Sequence, residues 1–94
     1  MDKIKRKRER LEMIFDILNI IRNHQNSIKP TPLLRQSNLS SQSFTEYLNE
    51  LLEKDLVKEI SDDNERKSLT LTDKGFKYLD KYKLILGFIE EFEL

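Results

Sequence analysis

The sequence predicts a mainly α domain with one small β-hairpin, its elements running helix, helix, helix, strand, strand, helix, with the last helix long. Three observations carry this reading. Apolar residues recur at helical spacing on both sides of two short segments that alternate with period two, and those segments flank a polar turn. Only two glycines and two prolines interrupt 94 residues, so the connections are short. A chain of this length supports one hydrophobic core and no second independent domain. Residues 1–94 therefore read as one unit, with a basic arm or helix extension at 1–10, a core over 11–72 and a long final helix over 73–93.

The first helix shows as Leu11, Ile14, Phe15, Leu18 and Ile21, a stripe spaced for one face. Met13, Ile17 and Ile20 form a second stripe beside it, wider than one small core needs, and point to a second packing surface. Thr31 and Pro32 start a short second helix to Ser37, the hydroxyl capping free amides and proline taking the first turn. Asn38, Leu39 and Ser40 make a turn in which Asn accepts a left-handed backbone and Ser40 caps the next helix. The third helix spans Ser41–Lys54 and buries Phe44, Tyr47, Leu48, Leu51 and Leu52.

Leu56–Ser61 and Lys67–Leu71 alternate around Asp62-Asp63-Asn64-Glu65-Arg66 and form the hairpin. Thr72 caps the last helix, Asp73 sits favourably at its positive end, and the helix continues to about Phe92.

Composition bounds the function. Apolar residues are 37% and charged residues 36%, which gives a heavily charged surface around a real core. Absence of cysteine removes disulfides, thiolate chemistry and cysteine-ligated metal, and fits a reducing compartment. No apolar run is long enough to cross a bilayer and no secretory signal pattern opens the chain, so it reads as cytoplasmic with no membrane partner. The net charge of zero hides an asymmetry. Residues 1–10 carry six basic and two acidic residues, and the remainder is acidic, which counts against indiscriminate coating of DNA.

Two helices around a tight turn and followed by a hairpin resemble a winged helix-turn-helix domain. Asn38-Leu39-Ser40, then Tyr47-Leu48 with Leu51-Leu52-Glu53-Lys54-Asp55-Leu56-Val57, then Leu69-Thr70-Leu71-Thr72-Asp73-Lys74-Gly75 are similar to archaeal winged-helix regulators that dimerise through a long C-terminal helix. That family includes small chromatin-associated DNA-binding proteins of Sulfolobus. The resemblance spans about residues 11–92 and implies a DNA-binding transcriptional regulator acting as a homodimer. One position departs from it: Asp55 stands where members commonly carry a helix-ending glycine. Gly75 matches, and a glycine in the first turn of a helix signals close approach to the hairpin or the third helix.

With its apolar stripe buried, the third helix presents Ser41, Gln42, Ser43, Thr45, Glu46 and Asn49 outward, a short-polar face that fits a major groove and supplies the base-reading candidates. Lys29 and Arg35 are placed to grip phosphates, and Arg66 and Lys67 are the hairpin residues for flanking DNA. Lys5, Arg6, Lys7 and Arg8, in a run that also holds Lys3 and Arg10, make a phosphate-binding arm or a solvated helix extension. Tyr78, Tyr82, Ile85, Ile89 and Phe92 step by four and three, a heptad seam for a dimer partner, with Phe76, Leu79 and Leu86 beside it for the chain's own core. Gly87 weakens the helix after Leu86.

Catalysis has little support. The sole histidine, His24, sits where it caps carbonyls at a helix end, and no nucleophile–base pattern, phosphate-cradling glycine loop, metal set or cofactor motif is present. Two other readings remain: a winged-helix protein–protein interaction module, compatible with the neutral overall charge and a reader face without basic residues, and an architectural DNA-binding protein with little sequence preference.

Overall fold

The computed structural model describes the backbone of residues 2–94 and the side chains from residue 9 onward. Six elements run in the expected order: α1 (Asp2–Asn23), α2 (Pro30–Ser37), α3 (Ser41–Glu53), β1 (Val57–Ser61), β2 (Lys67–Leu71) and α4 (Asp73–Glu91).

Ile14, Ile17, Leu18 and Ile21 bury one face of α1 at steps of three, one and three residues, which places them on a single stripe. Ile17 thus belongs to the core, and Met13 and Ile20 pack half-buried at its margin, so the second packing surface expected from these three is the edge of the first. The helix continues through the basic N-terminal run, making residues 2–10 a helix extension. It ends where Gln25 and Asn26 turn left-handed and the Asn26 amide returns to the Ile21 carbonyl at 3.0 Å.

α2 begins two residues earlier than the sequence suggests. Lys29 is the extended residue before it and Pro30 takes the first helical position, so Thr31 lies inside the helix and caps nothing. Both prolines fall in the first turn, where a missing N–H costs no hydrogen bond. Leu33 points into the core. Asn38 then adopts φ 59°, ψ 22°, and Ser40 accepts from the Ser43 amide at 3.2 Å to open α3, as expected.

Phe44 and Leu51 are buried along α3, with Tyr47, Leu48 and Leu52 packed against the core. The helix closes on Asp55 at φ 61°, where the resembled family has glycine. The Leu56 amide donates to the Leu51 carbonyl at 2.9 Å and the Asp55 amide to Leu52 at 3.2 Å, the paired bonds of a Schellman ending. Leu56 therefore belongs to this cap, and β1 starts one residue later than predicted.

β1 and β2 pair antiparallel, Val57 opposite Leu71 and Ser61 opposite Lys67. Burial does not alternate cleanly: only Val57 is covered on β1, whereas Leu69, Thr70 and Leu71 are all buried on β2. The α1–α2 connection explains the difference. Ile28 forms a bridge with Leu69 on the far edge of β2, its amide and carbonyl both bonded, and Asn26 takes Thr70 Oγ1 at 2.6 Å and the Leu71 amide at 2.8 Å.

Thr72 Oγ1 accepts from the Gly75 amide at 3.1 Å and starts α4. A Cβ at Gly75 would overlap the Leu56 carbonyl oxygen, which accounts for glycine there. Leu79 and Tyr82 are buried on the same helix.

Candidate nucleic-acid interface

α3 is set by its two ends. At its start, the Ser37 hydroxyl donates to the Leu34 carbonyl at 2.7 Å and accepts from the Leu39 amide at 3.3 Å, which holds the turn between α2 and α3. At its end, the Thr72 hydroxyl donates to the Asp55 carbonyl at 2.6 Å and Lys74 Nζ to the Lys54 carbonyl at 2.8 Å. A lysine at a helix C-terminus also faces the negative end of the dipole.

Between these ends, Ser41, Gln42, Thr45, Glu46 and Asn49 are exposed, and Ser43 is half-buried. Thr45 Oγ1 donates back to the Ser41 carbonyl at 2.8 Å, so its hydroxyl hydrogen is committed within the helix and its oxygen remains an acceptor. Gln42 and Asn49 are the exposed amides, each able to donate and accept in one plane. Ser43, Glu46, Tyr47 and Glu50 line a shallow cleft with Arg10 of α1.

Arg10 is ion-paired to Glu50, which also accepts from Lys54 Nζ at 2.8 Å. Of the basic N-terminal run, Arg10 is thus engaged with α3. Lys5, Arg6, Lys7 and Arg8 lie outside the residues whose side chains are described. Lys29 and Arg35 are exposed near the start and in the last turn of α2. Neither Glu50 nor its link to Arg10 is foreseeable from the sequence: the two are far apart along the chain, and Glu50 reads as one more charge beside the apolar stripe.

At the hairpin tip, the Asp62 carboxylate accepts from the Asn64 and Arg66 amides at 2.9 and 2.8 Å. That carboxylate thereby fixes the turn. Arg66 and Lys67 are exposed, and Lys67 Nζ lies 3.6 Å from Glu59 Oε2 across the strands.

The predicted seam on α4 divides. The Tyr78 hydroxyl donates to the Leu11 carbonyl at 2.7 Å, and Tyr82 is buried with its ring 4.8 Å from Phe15. Those two tyrosines serve the chain's own α1–α4 contact, as does Leu79, so the seam open to a partner narrows. Burial, added to by the neighbouring Tyr82 and offset by Arg10, pushes the Tyr78 hydroxyl up to about 12. Ile85 and Phe92 are exposed and Ile89 half-exposed; Leu84 at 74% and Phe88 at 55% exposure extend this patch. Phe76, expected beside the core, is instead 37% exposed.

His24 Nδ1 lies 3.0 Å from the Ser27 carbonyl, so it caps the turn after α1 rather than the helix's own carbonyls. Among the described residues no group of histidine or acidic side chains could hold a metal ion, and no helix is long and apolar enough to cross a membrane.

The winged helix-turn-helix family profile matches residues 7–89. No curated protein is significantly similar in sequence. Among solved structures, MepR, a transcription regulator of the Staphylococcus aureus multidrug efflux pump MepA, is 20% identical with a TM-score of 0.73, over 84% of this chain and 59% of that one. Sso10a-2, a DNA-binding protein from Sulfolobus solfataricus, is 20% identical with a TM-score of 0.71, over 88% of this chain and 83% of that one. A mutant MarR from E. coli complexed with operator DNA is 23% identical with a TM-score of 0.63, over 72% and 49%. At these identities the likeness is one of fold, and this chain spans less than two thirds of the MepR and MarR chains.

Proposed function

The chain belongs to the winged helix-turn-helix family, and we propose that it is a double-stranded DNA-binding transcriptional regulator acting as a homodimer. The observation that carries the proposal is the outer face of α3, short, polar and exposed, on a helix fixed at both ends. In this reading α3 enters the major groove, Gln42 and Asn49 address base edges, and Ser41, Ser43, Thr45 and Glu46 complete the reading surface. Lys29 and Arg35 hold phosphates, Lys5, Arg6, Lys7 and Arg8 add a basic flank, and Arg66 and Lys67 meet DNA beside the site. Neighbours of the same fold include a DNA-binding protein and a regulator crystallised on its operator, which supports the assignment.

A second copy would join through Ile85, Ile89 and Phe92 on α4, extended by Leu84 and Phe88. Two reading helices would then face half-sites ~34 Å, or a multiple of it, apart. Selection of bound duplexes from a random pool tests this directly. Enriched duplexes should bind more weakly as salt rises, and the double variant Gln42→Ala, Asn49→Ala should lose the preference for them. Failure to bind any duplex at low salt would overturn the proposal.

A further inference from the structure

We propose that a closed polar ring through α1, α3 and α4 sets the angle at which α3 is presented, with Arg10 and Glu50 as its positioning residues. Its purpose rests on the DNA-binding reading above; its geometry does not. The Tyr78 hydroxyl of α4 donates to the Leu11 carbonyl of α1 at 2.7 Å. The adjacent residue, Arg10, is ion-paired to Glu50 of α3. Glu50 accepts from Lys54 Nζ at 2.8 Å, and the Lys54 carbonyl accepts from Lys74 Nζ of α4 at 2.8 Å. Lys74 and Tyr78 lie one turn apart on the same face of α4, so the circuit returns to its start.

Three of these links, Tyr78 to Leu11, Arg10 to Glu50 and Lys74 to the Lys54 carbonyl, each join a different pair of helices, and the Glu50–Lys54 pair closes the circuit along α3 and its C-cap. The buried Phe44 and Leu51 fix which face of α3 turns inward, and non-directional apolar contacts leave only small adjustments of its roll and tilt. Hydrogen bonds and ion pairs have preferred geometry and oppose that roll. Small changes of roll and tilt matter on α3 because they displace the exposed Gln42 and Asn49 from the geometry that hydrogen bonding to base edges requires. Glu50 also sits between two cations, Arg10 and Lys54, so its charge is offset on the helix proposed to approach phosphates. Partly exposed ion pairs contribute little stability, so the ring acts on orientation more than on folding.

The chain contains no cysteine, so nitroxide labels at Thr45→Cys on α3 and Lys83→Cys on α4 report one intrachain distance when labelled chain is diluted in unlabelled chain. Arg10→Met and Glu50→Gln should each shift the mean by about 2 Å, the scale of helix shifts at packed interfaces, while Arg10→Lys keeps the native distance. An unchanged distance in Arg10→Met, which removes every donor from that position, with helical circular dichroism retained, would overturn the ring. On a duplex selected by the native chain, both variants should lose about three- to tenfold in affinity at an unchanged salt slope. A slope reduced by about one in Arg10→Met would make Arg10 a phosphate contact and overturn its positioning role. The distance measurement contains no DNA, so failure to bind any duplex would sink the proposed function without deciding the ring.

Discussion

The two halves of α4 are built from similar residues and put to opposite uses. From Asp73 to Tyr82 the helix is capped by Thr72, pressed against the Leu56 carbonyl through Gly75, and buried at Leu79 and Tyr82. From Leu84 onward it carries comparable apolar weight, yet Leu84, Ile85, Phe88 and Phe92 face outward. An apolar stripe records that a helix face is to be covered and not by what. Here α1 covers the first half, and the second is left for another surface.

The sharpest way to break this contrast is to empty the proximal half. Leu79→Ala removes a fully buried side chain and should cost about 2–5 kcal/mol in denaturant unfolding. A loss under about 1 kcal/mol would mean that α4 is not anchored there. Next in size, Gly75→Ala drives a methyl into a backbone oxygen that no rotamer change can move aside, at about 1–3 kcal/mol by the same measurement. Gly87→Ala is its counterpart in the distal half, where nothing lies near the added carbon. Helix propensity alone then acts, and stability should rise by up to about 1 kcal/mol.

Alkaline titration probes the proximal half through its contact with α1. The Tyr78 hydroxyl is raised from 10.0 to about 12 in the folded chain, so between those values the unfolded chain gives up a proton that the native one keeps. Stability should therefore fall as pH rises from 10 towards 12, and Tyr78→Phe should remove this part of the slope. The smallest expected change is in the distal half. Phe88→Ala should leave the stability of the dissociated chain within about 0.5 kcal/mol, while sedimentation shows self-association weakened. Equal association in both proteins would remove Phe88 from the proposed interface.

Element order and type are legible in the sequence because each helix carries its own periodicity and the hairpin its own turn. The start of α2 is not, because the chain offers two prolines, each suited to a first turn, and Thr31 before the second mimics a cap. Tyr78 and Tyr82 read towards a partner because a four–three spacing looks the same whether the facing helix belongs to another chain or to α1. The β2 burial pattern has no local signal at all, since Ile28 supplies its bridge as a single residue between polar neighbours. The polar outer face of α3 is visible from the sequence as the remainder after the Phe44–Leu52 stripe. Glu50, half-buried at the margin of that stripe, can be assigned only once α1 is seen beside it.

The attachment of β2 to the α1–α2 connection also bears on how the chain folds. A two-stranded hairpin of five residues a side is marginal in water by itself. Its bonds to Asn26 span 44 and 45 residues of sequence, so closing them requires α2 and α3 to be brought between, at the entropic cost of a long loop. Docking of the hairpin onto that connection should accordingly come late in folding. Once formed, the amides of Leu69 and Leu71 should exchange with solvent only when the whole domain opens, while those at its tip exchange on their own.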